Sequence, residues 1–165
     1  MKGTDTLLEI KNLCVDFQIR SGTVHVLNDL SLHLERGEAL GIVGESGCGK
    51  SMTALSVMRL IPEPPGKISR GEIRLNGINL LSLREKEMQD IRGNEISMIF
   101  QEPMSSLNPV FNIGSQVAEN IQRHQSASKK EAKEKAIEML RLVGIPAPEI
   151  RYGQYPHELS GGMRQ

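Results

Sequence analysis

One eight-residue segment, Gly44-Glu-Ser-Gly-Cys-Gly-Lys-Ser51, constrains this chain more than any other feature. The apolar run 39–43 precedes it and predicts a strand buried on both faces. The residues from 50 to about 61 predict a helix, which the prolines from Pro62 onward would end. Glycines at this spacing, followed by Lys-Ser between a strand and a helix, are typical of a phosphate-binding loop. We therefore predict an α/β fold with a nucleotide site.

Each residue type in the loop has a chemical reason to be there. Glycines let the backbone wrap a phosphate and turn its N–H groups inward, and the helix N-terminus adds partial positive charge. Lys50 can reach the β- and γ-phosphates, and the Ser51 hydroxyl can ligate Mg²⁺. The predicted nucleotide contacts are Gly44, Glu45, Ser46, Gly47, Cys48, Gly49, Lys50 and Ser51. Taken alone, the loop would fit a kinase or a GTPase equally well.

The composition of the chain limits which partners and which cellular compartment it fits. The 20 basic and 20 acidic residues cancel, which argues against a nucleic-acid partner bound through bulk charge. No stretch approaches the roughly 18 to 20 apolar residues of a membrane span, so we expect any membrane role to act through a partner. The two cysteines, Cys14 and Cys48, cannot form a disulfide framework and indicate free thiols in the cytosol.

Further elements follow from apolar periodicity, caps and turns. Strands are expected over 7–19, 24–34, 71–75 and 96–100, with turns at Ser21-Gly22, Arg36-Gly37 and Asn76-Gly77. Helices are expected from a capping box at Ser82–Glu85 to about Arg92, over 113–125, and after a second capping box at Ser128–Glu131. The last helix should end at Gly144 and bury one face, made of Ala132, Ala136, Met139, Leu140 and Val143.

The C-terminal run Leu159-Ser-Gly-Gly-Met-Arg-Gln165 resembles the LSGGQ signature of ABC-type ATPases, with Met163 where glutamine is usual. The resemblance implies that Ser160 and Gly162 contact the γ-phosphate of ATP held by a partner subunit. It implies that Gln101 is the Q-loop residue, which contacts Mg²⁺ or the attacking water. Phe17 resembles the aromatic residue that stacks on adenine in this family, although a core phenylalanine explains it nearly as well.

The stretches Gln101–Gly114 and Tyr155–Gly162 look like the ATP-binding subunits of dipeptide and oligopeptide importers. That resemblance implies membrane-spanning permease subunits, a second ABC ATPase subunit and, indirectly, a solute-binding protein as partners, at the cytoplasmic face of the membrane. Peptides, nickel and glutathione all remain open as the transported solute. The alternatives are an ATPase accessory to a soluble enzyme complex and a degenerate nucleotide-binding module.

The resemblance implies a P-loop NTPase of ABC type that is incomplete. A β-subdomain and part of the ATP-binding core are expected over 1–103, and a helical subdomain that ends in the signature over 104–165. In the family, the Walker B strand, D-loop and catalytic histidine follow the signature. We find no apolar run followed by Asp-Glu within the 165 residues, so we expect a truncated chain that binds ATP and Mg²⁺ without hydrolysing ATP.

One apolar segment after Gln101 is expected to lie at the surface. The resemblance implies that this region receives a short cytoplasmic helix of the permease. The residues assigned to it are Met104, Leu107, Val110 and Phe111. Packing in the core is the competing explanation for the same residues.

Overall fold

The computed structural model describes residues 5–101 and 106–165, and it divides between Gln89 and Asp90 into two compact units. The domain boundary predicted between 103 and 104 lies outside the described residues. The strands are β1 (Thr6–Ile19), β2 (Gly22–Glu35), β3 (Gly66–Leu75) and β4 (Ile78–Asn79). The helices are α1 (Lys50–Val57), α2 (Glu85–Ile91), α3 (Ile113–Gln125), α4 (Lys129–Leu142), α5 (Pro148–Arg151) and α6 (Gly161–Arg164), with 3-10 turns at Leu80–Ser82 and Pro156–Glu158.

The first unit is built on an antiparallel four-stranded sheet with the order β2-β1-β3-β4. The side chains of Ile10, Leu13 and Val15 in β1 are at most 1% exposed. Leu13 is three residues after Ile10, a spacing that would put the two side chains on opposite faces of a regular strand. Both are buried because Asn12 adopts a φ of 47° and the strand register shifts there. The sequence prediction of strands in these regions is confirmed, and β3 begins earlier than expected.

The turn at Asn76-Gly77 is confirmed. Both residues have positive φ, 49° and 81°, as a two-residue hairpin loop requires. The turn pairs the end of β3 with β4, and the Asn76 N–H donates to the carbonyl oxygen of Leu7 at 2.9 Å. The hairpin is thereby tied to the start of β1.

Two predicted strands, 39–43 and 96–100, are wrong. Both segments lack regular structure, apart from one isolated bridge between Ile96 and Arg92. Val43 and Ile99 are 93% and 94% exposed instead of buried. A strand exists only through a neighbour that accepts its hydrogen bonds, and among the described residues no strand pairs with either segment.

Two helix boundaries also differ from the prediction. Helix α1 ends at Val57 rather than near 61, because Arg59 turns to a φ of 50°. Helix α2 begins at Glu85, so Ser82 lies three positions before its first residue and is not its N-cap. Ser82 instead ends the 3-10 turn, where its hydroxyl donates to the carbonyl oxygen of Asn79 at 2.8 Å.

The second unit contains an antiparallel pair of helices, α3 and α4. The predicted bounds of α3 are confirmed, and Asn112 caps its first turn by accepting the Ser115 N–H at 2.8 Å. The capping box of α4 is also confirmed: Ser128 Oγ accepts the N–H of Glu131, whose carboxylate accepts the N–H of Ser128. Hydrogen bonds to the Glu131 carboxylate, first from the Ser128 side chain and then from the Ser128 N–H, hold the pKa of Glu131 below its ordinary value.

The buried face of α4 is narrower than predicted. Ala132, Ala136 and Leu140 are buried, whereas Met139 and Val143 are 42% and 75% exposed. The two alanines pack against Ala118 and Ile121 of α3. Small side chains at 132 and 136 keep the helices close, so the flanking larger residues remain at the surface. Gly144 ends the helix with a φ of +80°, as expected.

A close contact fixes the N-terminus of α3. A methyl group on the α-carbon of Gly114 would lie 2.1 Å from the ring of Tyr152, so only glycine fits there. The N–H groups of Ile113 and Gly114 donate to the carbonyl oxygens of Gln154 and Tyr152. Because these donors are satisfied by protein, the start of α3 does not offer an anion site.

We expect Gly71→Ala to destabilise the protein much more than Gly77→Ala. Both glycines have positive φ, +108° and +81°, so alanine costs roughly 1–2 kcal/mol at either position. At Gly71 the new methyl would also lie 2.6 Å from the α-carbon of Leu13, whereas the space beside Gly77 is open. Overpacking against backbone should add about 1–3 kcal/mol. Urea unfolding of both variants tests this, and an equal loss in the two would contradict it.

Candidate phosphate-binding site

The predicted phosphate loop is an exposed, irregular turn that enters helix α1 at Lys50. Gly47 and Gly49 have φ values of +84° and +99°, a conformation that side chains disfavour. The glycines at these two positions are therefore required by backbone geometry, independently of any ligand.

Gly49 is further constrained by strand β2. A methyl group at its α-carbon would lie 2.6 Å from Cδ2 of Leu27 and 3.3 Å from the carbonyl oxygen of Val26. Gly44 is restricted from within the loop, since a methyl there would lie 2.7 Å from Sγ of Cys48. The loop is thus folded closely on itself and on the sheet.

The start of α1 supplies donors for an anion. The N–H groups of Lys50, Ser51 and Met52 have no acceptor within the helix, because they belong to its first turn. The next N–H, that of Thr53, donates to the carbonyl oxygen of Gly49 at 2.8 Å, and the Thr53 hydroxyl donates to the same oxygen at 3.0 Å. Two hydrogen bonds from Thr53 therefore fix the carbonyl group of Gly49 to the start of α1.

The side chain of Lys50 folds back over the loop. Its Nζ donates to the carbonyl oxygens of Gly44 and Glu45 at 2.8 and 2.6 Å, and lies 3.6 Å from Sγ of Cys48. The ammonium group is held over the turn by two acceptors at the start of the loop. An anion enclosed by this turn would meet the charge of Lys50 and the N–H groups of the first turn of α1 together.

The donor set suits Mg-ATP. Backbone N–H groups, an ammonium and the exposed Ser51 hydroxyl match phosphate oxygens and one position on Mg²⁺. No group of three His, Cys, Asp or Glu side chains that could hold a metal ion occurs within 5–101 and 106–165. Magnesium at Ser51 would therefore depend on phosphate oxygens for its remaining ligands. Glu45 and Ser46 are exposed within the same turn.

Phe17 lies in β1, opposite Val24 of β2 and Gly66 of β3. It is half-buried, and a methyl on Gly66 would lie 2.8 Å from its ring. Alternation along β1 puts Phe17 on the same face as Val15, the cross-strand partner of Leu27. The Phe17 ring therefore lies on the same face of the sheet as Leu27, the residue that contacts Gly49 of the loop. Packing against Gly66 accounts for part of the burial of the ring. Stacking on adenine stays a prediction.

The opposite face of β1 carries a polar cluster. Asp16 lies 2.7 Å from Nδ1 of His25, and a hydrogen bond with Ser69, followed by that with His25, lowers the pKa of Asp16. Both neighbours contact the carboxylate rather than each other. The cluster therefore lacks the serine–histidine hydrogen bond of a nucleophilic site, and it joins three strands.

Gln101 and the signature belong to the second unit. Gln101 is exposed and follows the segment that does not form a strand, so its role at Mg²⁺ or water remains a prediction. Ser160 caps the short helix α6, because its Oγ accepts the N–H of Met163 at 3.4 Å. Ser160 and Gly162 are exposed, and nothing lies within 4 Å of the position a methyl would take on Gly162.

The exposed signature segment is anchored by apolar residues on either side of its glycines. Leu159 is 5% exposed and belongs to a core cluster with Ile113 and Leu140, against which Met163 packs. The substitution of methionine for the usual glutamine thus adds apolar contact with the core of the second unit. This arrangement leaves the Ser-Gly-Gly backbone free to meet a ligand or another molecule.

Sequence reasoning missed two residues that shape the loop, Leu27 and Thr53. The alternation of β2 marks Leu27 as a core residue without indicating that its side chain touches Gly49. Thr53, two positions after the motif, carries no signal beyond its place in the first turn of a helix.

The chain matches the family model described as ABC transporter over residues 27–165. It is 54% identical over 159 residues to the oligopeptide transport ATP-binding protein OppD of Bacillus subtilis (strain 168), covering 96% of this chain and 44% of that protein. The dipeptide transport ATP-binding protein DppD of the same organism is 48% identical over 161 residues, covering 98% and 48%. The chain spans about half the length of these curated relatives.

Among solved structures, the chain is similar to the ATP-binding cassette MJ0796. A dimer of that cassette in a post-hydrolysis state, bound to ADP and Pi, aligns with a TM-score of 0.78 and 26% identity, covering 95% of this chain and 65% of that one. Among the helices within 5–101 and 106–165, none is long and apolar enough to cross a membrane.

We expect maleimide to label Cys48 faster than Cys14, and ATP to slow only the labelling of Cys48. Cys48 is exposed in the loop, whereas Cys14 is partly buried and accepts the Asp29 N–H at 3.3 Å. Mass spectrometry of each cysteine peptide, with and without saturating Mg-ATP, gives the two rates. The Cys14→Ser variant is the control. Labelling of Cys48 that ignores nucleotide would contradict a loop that encloses phosphate.

Proposed function

Because this chain belongs to the ABC transporter family, we propose that it binds Mg-ATP through Gly44–Ser51 as the energy-coupling ATPase subunit of an importer for peptides or similar small solutes. The observation that carries the proposal is the backbone turn of the loop. Its glycines meet the conformational needs of a phosphate turn, and the ammonium of Lys50 lies over that turn at the start of α1.

The solute class is proposed from the relatives. OppD and DppD are named for oligopeptide and dipeptide transport, and their similarity extends over nearly all of this chain. Since the chain spans about half their length, ATP hydrolysis and transport are proposed for a protein of the relatives' length. Its permease subunits and a solute-binding protein would choose the solute, and the ATPase would lie at the cytoplasmic face of the membrane.

We further propose that a second ATPase subunit completes the nucleotide site. The exposed Ser160 and Gly162 offer a hydroxyl and a backbone N–H. The neighbouring Leu159 anchors them, because it belongs to the buried core cluster. These donors suit the γ-phosphate of ATP bound to the phosphate loop of a partner subunit. Gln101 is proposed to contact Mg²⁺ or the attacking water. The dimeric MJ0796 cassette offers a precedent for pairing.

The docking surface for the permease is proposed around Val110 and Phe111, which are 70% and 56% exposed. Leu107 is left out of this surface, because it is partly buried and packs against the core cluster of Ile113, Leu140 and Leu159. Met104 lies outside the described residues.

We expect Lys50→Ala to weaken Mg-ATP binding by roughly 10- to 100-fold, because it removes a charge-assisted contact to phosphate. Titration calorimetry on the purified chain measures the change. Lys86→Ala, which removes an exposed lysine from α2, is the matched control and should bind as the parent does. Equal affinity of the parent and Lys50→Ala would refute the site.

We expect Phe111→Asp and Leu107→Asp to fail in different ways. Leu107→Asp places a charge against the core cluster and should destabilise the protein by about 2 kcal/mol or more, seen as a lower melting temperature. Phe111→Asp should melt close to the parent, because Phe111 is more than half exposed. It should abolish transport in an assembled importer while ATP binding persists. Normal transport by a stable Phe111→Asp protein would refute the docking surface.

A further inference from the structure

We infer that Leu27 is a positioning residue for the phosphate loop, an inference that rests on the proposed binding of ATP at Gly44–Ser51. Leu27 is only 6% exposed, and its Cδ2 reaches the α-carbon of Gly49 so closely that a methyl there would lie 2.6 Å away. Leu27 itself lies in β2, outside the loop, and has no polar group with which to bind nucleotide.

The position of Gly49 controls the donors of the site. Its carbonyl oxygen accepts both the N–H and the hydroxyl of Thr53, and the residue after it, Lys50, opens helix α1. A displacement of Gly49 therefore moves the first N–H groups of α1 and the base of the Lys50 side chain together. Leu27 blocks that displacement by its contact beside the α-carbon of Gly49, while Thr53 restrains the carbonyl oxygen of the same residue.

The sheet gives Leu27 a fixed position from which to act. Its cross-strand partner in β1 is Val15, which is fully buried, and the carbonyl oxygen of Val26 adds a second contact 3.3 Å from the same methyl position on Gly49. Filling this contact requires a side chain that reaches from the strand to the loop. Alanine at 27 would leave a gap into which the loop could shift.

The β1–β2 hairpin carries both Leu27 and Phe17, so the contributions of the phosphates and of the adenine base to binding can be measured separately. Phe17 and Val24 form a cross-strand pair farther toward the β1–β2 turn. If Leu27 acts through the loop, its loss should weaken every ligand that carries the triphosphate, with or without adenine. Inorganic tripolyphosphate has no base, so it reports on the loop alone.

The test compares Leu27→Ala with Leu13→Ala in the same chain, using calorimetry with Mg-ATP and with Mg-tripolyphosphate. Leu13 is likewise buried in the sheet, but its α-carbon lies beside Gly71 of β3. Leu27→Ala should weaken both ligands by the same factor, about tenfold, since small displacements of binding groups are costly. Leu13→Ala should lower stability and leave both affinities unchanged, and Leu27→Met should restore most of the affinity.

A ligand-free measurement keeps the inference testable apart from nucleotide binding. Loosening the loop should raise the maleimide labelling rate of Cys48 in Leu27→Ala, but not in Leu13→Ala, at equal fraction folded. If Leu27→Ala does not fold, Leu27→Val, which shortens the side chain less, takes its place in both measurements.

The outcomes are distinct. Equal effects of the Leu27 and Leu13 variants on affinity and labelling would overturn the inference and leave the proposed function standing. A parent chain that binds neither ATP nor tripolyphosphate would refute the proposed function and, with it, a role for Leu27 in binding.

Discussion

The contact between the backbone of Gly49 and strand β2 is the constraint on which the candidate site depends. Leu27 and the carbonyl of Val26 leave no room for a side chain at 49, and the φ of +99° excludes one independently. Two unrelated requirements thus fall on one glycine. Since helix α1 begins at the next residue, this contact sets where its unpaired N–H groups and Lys50 lie.

In the second unit, the candidate ligand groups of Ser160 and Gly162 are positioned by apolar packing on either side of them. The signature turn has no close packing of its own, since Gly161 and Gly162 both face open space. It is held because Leu159 before it and Met163 after it lie in or against one apolar cluster. A backbone anchored at both ends can offer exposed donors without a large loss of order on binding, which favours recognition of an anion.

Local signals predicted much of this architecture. The bounds of α3, the capping box of Ser128 and Glu131, and the positive φ of Asn76-Gly77 are all confirmed. Each depends on hydrogen bonds or backbone preferences within a few residues, which is the range that sequence patterns describe. The positive φ of Gly47 and Gly49 and the cap at Ser160 are local in the same way, whereas the binding roles of these two segments stay predictions.

By itself, then, the sequence determined the family, the glycine-rich turn before α1, the bounds of α3 and the capping box of α4. Only the tertiary structure decided that 39–43 and 96–100 lack strand partners within the described residues. It also decided that Leu107 packs against a core cluster while Phe111 is more than half exposed, and that Leu27 contacts Gly49. An apolar residue has the same pattern whether it meets a strand, a helix or a glycine. What it touches depends on which distant segments the fold brings beside it, because burial and strand pairing are properties of neighbours rather than of the residue.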